Sequence, residues 1–233
     1  MSDGPRLSEN FFILSTDSAI LSLLEEGSSP LTCSTIEMIS KTINNYCIYI
    51  PSNNPEHCMQ LNLIANNMKK KYQDINFYFI TSKDMINNLK LSDNFIDIEF
   101  FNKNKNQFGC IEQLEINPKT DPVEEFCKKN EIELCVDNDY PNSSGSKIVI
   151  FTKSNNCKKS LIDIDINKIK RIFGNNLIID PDNFENAKYV IGPECWQIFY
   201  SASKKIPTYV ITNNGNYAGL FLKMFPKQKK IDL

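Results

Sequence analysis

Residues 187–212 read AKYVIGPECWQIFYSASKKIPTYVIT, and this stretch sets the fold class. A short apolar run, Tyr189-Val190-Ile191, stops at Gly192-Pro193. A helix-like segment follows over 194–204, then Ile206-Pro207, then a second apolar run, Tyr209-Val210-Ile211. Strand, tight turn, helix, Pro and strand form the βαβ grammar of an open parallel sheet. Such sheets bind ligands beyond the carboxyl ends of their strands, which predicts a site at Gly192 and Glu194. The helix start adds free N–H groups and a dipole that attract phosphate.

The same grammar extends in both directions. Around the opening stretch, strands are expected at 147–151 and 177–179, helices at 164–173 and 218–224, and one helical turn at 184–188. Toward the N-terminus, an unbroken apolar run at 46–50 reads as a buried parallel strand. A helix over 56–72 turns Leu61, Ile64, Ala65 and Met68 inward. A strand at 75–80, a short helix capped at Ser82-Lys83-Asp84, and strands at 95–101 and 111–116 follow. Asp121 and Pro122 open a helix over 122–130. Further upstream lie an expected strand at 11–14 and helices at 15–26 and 34–44. The β-α-β-α-β order over 46–101 is the first half of a doubly wound sheet. Residues 137–146 concentrate turn formers, with Pro141 and Gly145 among them, and predict a boundary between domains 1–140 and 141–233.

Composition bounds the function. The chain of 233 residues carries a net charge of -2 and a pI near 5.6, so no basic surplus exists for gripping nucleic acid. Lys223, Lys227, Lys229 and Lys230 crowd the end of the sequence and read as a solvated tail. The eight cysteines show no CxxC or CxxH spacing, and His57 is the only histidine, so no zinc site is expected. No signal-peptide pattern or apolar run of membrane-spanning length is present, and reduced thiols in the cytoplasm are the expectation.

Two parallel βα halves facing a cleft constitute the GT-B architecture, and within it residues 187–212 resemble the donor-binding motif of heptosyltransferase-like glycosyltransferases. That motif runs apolar pair, Gly, any residue, Asp, Thr or Ser, Gly, two residues, His, Leu and two Ala, with Pro-Thr before the next strand. Laid on without gaps, it matches Val190-Ile191-Gly192, with Glu194 for the Asp, Cys195 for the hydroxyl residue and Trp196 for the Gly. Phe199 replaces the His, Ser201-Ala202 the small pair, and Pro207-Thr208 match. Lys158 stands where the family keeps a phosphate-contacting lysine. Pro55-Glu56-His57 stands where it has Gly-Asp, the Asp being the base that activates the acceptor. The second half is also shorter than the family's by about one βα unit between Phe173 and Tyr189, by the usual unit length.

The resemblance implies a metal-independent, inverting sugar transfer from a nucleotide-sugar donor to an unidentified acceptor, with no cofactor. The donor would be held by Lys158, Gly192, Glu194, Cys195 and Trp196. Inversion needs a general base for the acceptor hydroxyl, for which His57 and Glu56 are the candidates. Each residue also has a plainer role. Glu194 serves equally as a helix-dipole carboxylate, Trp196 and Phe199 as core aromatics, Lys158 and Lys159 as solvated cations, and Glu56-His57 as a surface pair. Cys195 would have a lowered thiol pKa only if exposed at the helix start. Because the motif's His and Gly are absent, a second class stays open: a GT-B-like protein without catalysis that binds or scaffolds. A generic Rossmann nucleotide enzyme is weaker, since no GxGxxG is present.

Overall fold

A computed structural model describes residues 44–51, 54–115, 120–137, 139–152, 166–212 and 219–232. The strand expected at 11–14 and the helix at 15–26 fall outside these residues, as does nearly all of the helix at 34–44. The protein is α/β with two parallel sheets, and its contacts divide it into two units. Of the described residues, the first contains those up to residue 51 and those from 65 to 132. The second contains residues 54–64 and the described residues from 133 onward.

The first unit is built on β1 (Asn45–Tyr49), β2 (Asn76–Thr81), β3 (Phe95–Asp97) and β4 (Cys110–Gln113), all parallel in the order β3-β2-β1-β4. Ile48 stands opposite Phe79 on one side and Glu112 on the other. Helix caps read as the sequence suggests. Ser82 accepts the Met85 N–H at the start of α2 (Lys83–Leu89). Asp121 accepts the Val123 and Glu124 N–H groups at the start of α4 (Pro122–Lys129). The expected strand over 95–101 is cut short. The Asp97 side chain accepts the Phe100 N–H and starts α3 (Ile98–Lys103), because an Asp at that spacing offers the backbone a helix start. The strand expected at 111–116 ends at Gln113.

The second unit holds β5 (Lys147–Ile150), β6 (Leu177–Ile179), β7 (Ala187–Gly192), β8 (Thr208–Thr212) and β9 (Lys229–Asp232). All are parallel, in the order β6-β5-β7-β8-β9. One face carries Ile148, Ile150, Ile191 and Ile211 under α5 (Ile166–Phe173). The other receives α6 (Trp196–Ser203), whose buried Phe199 meets Phe221 of α7 (Gly219–Met224) at 5.6 Å. Fully burying each such ring contributes about 1.5–3 kcal/mol. Two expectations change. The turn at 185–186 gives way at once to β7, with no helix over 184–188. Lys229 and Lys230 belong to β9, a sheet strand rather than a tail, since an edge strand needs only one half-buried apolar residue, here Ile231.

The described residues of 137–146 form no regular element, yet they are tied to the second unit. The Ser143 hydroxyl donates to the Ala187 carbonyl at 2.6 Å and the Asn142 N–H to that of Lys205 at 2.7 Å. A Cβ on Gly145 would lie 2.2 Å from the Asn186 carbonyl oxygen, so only glycine fits that approach.

Candidate functional site

In the second sheet the chain leaves β5 toward β6 on one side, and β7 lies on the other. The strand order therefore reverses between β5 and β7, and it is outside the carboxyl ends at such a reversal that open parallel sheets bind ligands. Gly192 closes β7 at that point. A Cβ there would meet the Phe151 carbonyl oxygen at 3.0 Å, Phe151 Cβ at 3.1 Å and Ile198 Cδ1 at 3.4 Å. The glycine thus lets the two strand ends and the first turn of α6 meet.

On the other side of β5, Asp180 follows β6 with φ 45°, a left-handed conformation that Asp tolerates better than most residues. Its N–H donates to the Ile150 carbonyl. Its carboxylate accepts the Thr152 N–H at 2.8 Å and the Thr152 hydroxyl at 2.5 Å. Two bonds from one carboxylate hold the chain where it leaves β5. The sequence singled out neither residue. The available signal was an Asp-Pro pair directly after a Leu-Ile-Ile strand. Lys158 lies further along the same chain, outside the described residues.

The three residues after Gly192-Pro193 are brought together, each already engaged. Glu194 is buried, and its Oε1 accepts the Phe221 N–H at 2.9 Å, near the start of α7. Cys195 is the N-cap of α6 and buried. Burial pushes its thiol well above the ordinary range, beyond what the Ile198 and Gln197 amides recover, and the carboxylates of Glu56 and Asp180 add to the rise. It is a protonated thiol at neutral pH. Trp196 is half-buried in an aromatic group, its ring 6.0 Å from Phe184 and 6.4 Å from Tyr200. Phe184 also meets Phe151 at 5.0 Å, which links the group to the end of β5.

Helix α1 (Pro55–Lys71) supplies the other candidates, and its residues up to Ile64 pack with the second unit. Asn54 starts it: its Oδ1 accepts the Glu56 N–H at 2.9 Å, and its carbonyl accepts the Cys58 N–H. Asn54 Nδ2 lies 3.5 Å from His57 Nε2. Glu56 and His57 are 1% and 5% exposed, so the pair is interior rather than a surface pair. Since its carboxylate acts on the Cys195 thiol, Glu56 belongs with the residues at the start of α6. Gly192, Glu194, Cys195, Trp196, Glu56 and His57 thus all fall within one unit.

A separate open groove of about 540 Å³ lies in the first unit beside β4 and α4, lined by Leu114, Glu115, Pro122 and Phe126 among others. None of the candidate site residues described here for the second unit borders it. Among the described residues no cluster of His, Cys, Asp and Glu could hold a metal ion, and no helix is long and apolar enough to cross a membrane.

No family model matches the sequence, and no curated protein matches it. Solved structures similar to this chain include E. coli heptosyltransferase WaaC with ADP, at 9% identity and a TM-score of 0.47, over 80% of this chain and 93% of that one. The same enzyme with ADP-2-deoxy-2-fluoro heptose gives 8% and 0.42, over 80% and 92%. TibC, an iron-containing dodecameric glycosyltransferase from enterotoxigenic E. coli, gives 10% and 0.41, over 71% of this chain and 57% of that one.

Proposed function

We propose that this protein is a glycosyltransferase that moves a sugar from a nucleotide-sugar donor to an acceptor, with inversion and without a metal ion. One observation carries most of the weight. The stretch that resembles a donor-binding motif has its Gly192 turn at the switch point of a parallel sheet, and the first turn of α1 joins it in the same unit. The donor diphosphate would lie at the start of α6 beside Gly192, with Lys158 as its cation and Trp196 along the base or sugar.

Both base candidates are buried, and Glu56 fits better because its charge acts on the Cys195 thiol at the start of α6. In the reaction Glu56 takes the acceptor hydroxyl proton while that oxygen attacks the anomeric carbon. The bond to the diphosphate breaks, and its electron pair leaves with the diphosphate oxygen. Cys47, Cys58, Cys127, Cys135 and Cys195 are thiols, which suits a cytoplasmic location.

A specific observation favours a second function, a GT-B-like binding or structural protein without catalysis. The Glu194 carboxylate, which a donor hydroxyl would need, already accepts the Phe221 N–H. A thermal-shift panel of UDP, GDP, ADP, CMP and their sugars separates the two. A ligand at 100 times its Kd stabilises by about 2.7 kcal/mol, or roughly 5–10 °C in a chain of this size. The transferase is expected to respond to one nucleotide, to lose that response in Lys158→Ala, and to keep it while losing turnover in Glu56→Gln. A flat panel removes the transferase and leaves the structural role; binding without sugar transfer or donor hydrolysis supports the binding protein.

A further inference from the structure

The start of α1 is set by Asn54 and Pro55. A residue before proline is disfavoured in the helical region and pushed extended, the backbone that a helix cap takes. Proline in turn suits the first helical position. Asn54 uses both ends of its side-chain amide. Its Oδ1 accepts the Glu56 N–H at 2.9 Å. With the oxygen committed to that donor, the amide is fixed in one orientation, and Nδ2 is the atom that lies 3.5 Å from His57 Nε2. The Asn54 carbonyl ties the same turn by accepting the Cys58 N–H.

An amide nitrogen donates and does not accept, so the ring nitrogen that faces it has to be the acceptor. A neutral imidazole whose Nε2 accepts carries its proton on Nδ1. His57 is buried, so protein groups rather than bulk water decide which nitrogen holds the proton. As a plain cap, Ser or Asp would serve about as well as Asn. Of the three, only Asn holds an acceptor and a donor on separate atoms, one for the Glu56 amide and one for the His57 ring.

We propose that Asn54 is a positioning residue that holds His57 as an uncharged ring protonated on Nδ1, which leaves Glu56 as the base. The assignment of the base rests on the transferase proposed above; the state of the ring does not. Neither nitrogen of such a ring is free to take the proton of an acceptor hydroxyl. Nδ1 already bears one, and a proton on Nε2 would set two N–H donors against each other. The same Asn54 side chain fixes the Glu56 backbone, and with it the point from which the Glu56 carboxylate leaves the first turn of α1.

His57 is the only histidine, so long-range proton–nitrogen NMR spectra of the full chain contain a single imidazole. At neutral pH the parent should show Nδ1 protonated and Nε2 bare. Asn54→Asp keeps an acceptor for the Glu56 N–H and sets a carboxylate against Nε2, so Nε2 should become protonated. Asn54→Ser keeps the cap without reaching the ring, so the Nε2 resonance should move while the urea midpoint stays close to the parent's. A parent ring protonated on Nε2, or an Asn54→Asp ring still bare there, overturns the proposal. The base is tested by nucleotide release from the nucleotide-sugar that most stabilises the chain in the thermal-shift panel, with water as the acceptor. Glu56→Gln should lower that release about a hundredfold or more and leave the His57 spectrum as it was. Release undiminished in Glu56→Gln would remove Glu56 as the base. A parent that hydrolyses no nucleotide-sugar overturns the transferase and the base with it, whereas the ring is decided by the spectra alone.

Discussion

The junction at Gly192 makes the sharpest prediction about the second sheet. In Gly192→Ala the new methyl meets the Phe151 carbonyl oxygen at 3.0 Å and Phe151 Cβ at 3.1 Å, where ordinary contacts begin near 3.4 Å. Backbone atoms on the end of a buried strand yield little, so the methyl acts as overpacking and costs about 1–3 kcal/mol. Replacing glycine also restricts the unfolded chain, which returns about 0.4–1 kcal/mol, and no left-handed φ opposes alanine here. The net expectation is a loss of about 1 kcal/mol, or roughly 2–4 °C. Urea denaturation at unchanged slope measures it. Gly219→Ala is the control: nothing lies within 4 Å of its Cβ position in α7, so stability should rise by a few tenths of a kcal/mol up to about 1. If Gly192→Ala is as stable as its parent while the control behaves, the ends of β5 and β7 do not meet as described.

Three further outcomes follow from particular side chains. Glu194→Ala leaves the buried Phe221 N–H without its acceptor and should cost about 1–3 kcal/mol in urea melts, whereas Glu194→Gln keeps an oxygen there and should cost less. Asp180→Gly and Asp180→Ala both lose two bonds to Thr152, but only alanine must hold φ 45°, so the Ala protein should be the weaker by about 1 kcal/mol; equal midpoints would remove the conformational part of the account. Burial, helped by Asp121 and Glu124, pushes the Cys127 thiol up to about 12. A folded pKa raised above the unfolded one gives stability that is complete below the ordinary thiol range and lost as pH rises toward about 12. Cys127 should therefore contribute a fall of about 1.4 kcal/mol per pH unit above pH ~9. A Cys127→Ala variant whose urea midpoints fall as steeply from pH 9 upward as the parent's would show that this thiol is not shielded.

The elements that the sequence made legible share a cause: their signals are local. Buried parallel strands such as β1 and β7 need apolar residues on both faces, so they stand out as unbroken runs, here 46–50 and 189–191. Caps such as Ser82 and Asp121 work through bonds two or three residues away, and they too can be read along the chain. Strand β9 was hidden because an edge strand pairs on one side only, and Lys229-Lys230-Ile231-Asp232 has no run to show. Asp97 was hidden because three apolar neighbours on its C-terminal side suit a strand as well as a helix. At the site, Gly192 and Glu194 were legible as a strand-to-helix turn. Asp180 and Thr152 were not, since they are 28 residues apart and only the order of β6, β5 and β7 joins them.

That difference bears on which function the protein has. A motif states which residue types stand at a turn, but not what they already hold. Glu194 is well placed for a ligand hydroxyl by sequence, and in the fold its carboxylate receives the N–H of Phe221. Helix α7 is only six residues long, and so short a helix depends on its cap and packing more than on its own propensity. A donor that recruited Glu194 would have to share it with that helix or displace the bond. Glu56 is in a different position: the sequence offered it as a candidate base or as half of a surface pair with His57, and the fold buries it in the same unit as Cys195. On the proposed transfer Glu56 is the base, whereas the Glu194 carboxylate is held by the fold itself. The Glu56→Gln and Glu194→Ala proteins should fail in different assays, the first in turnover and the second in stability.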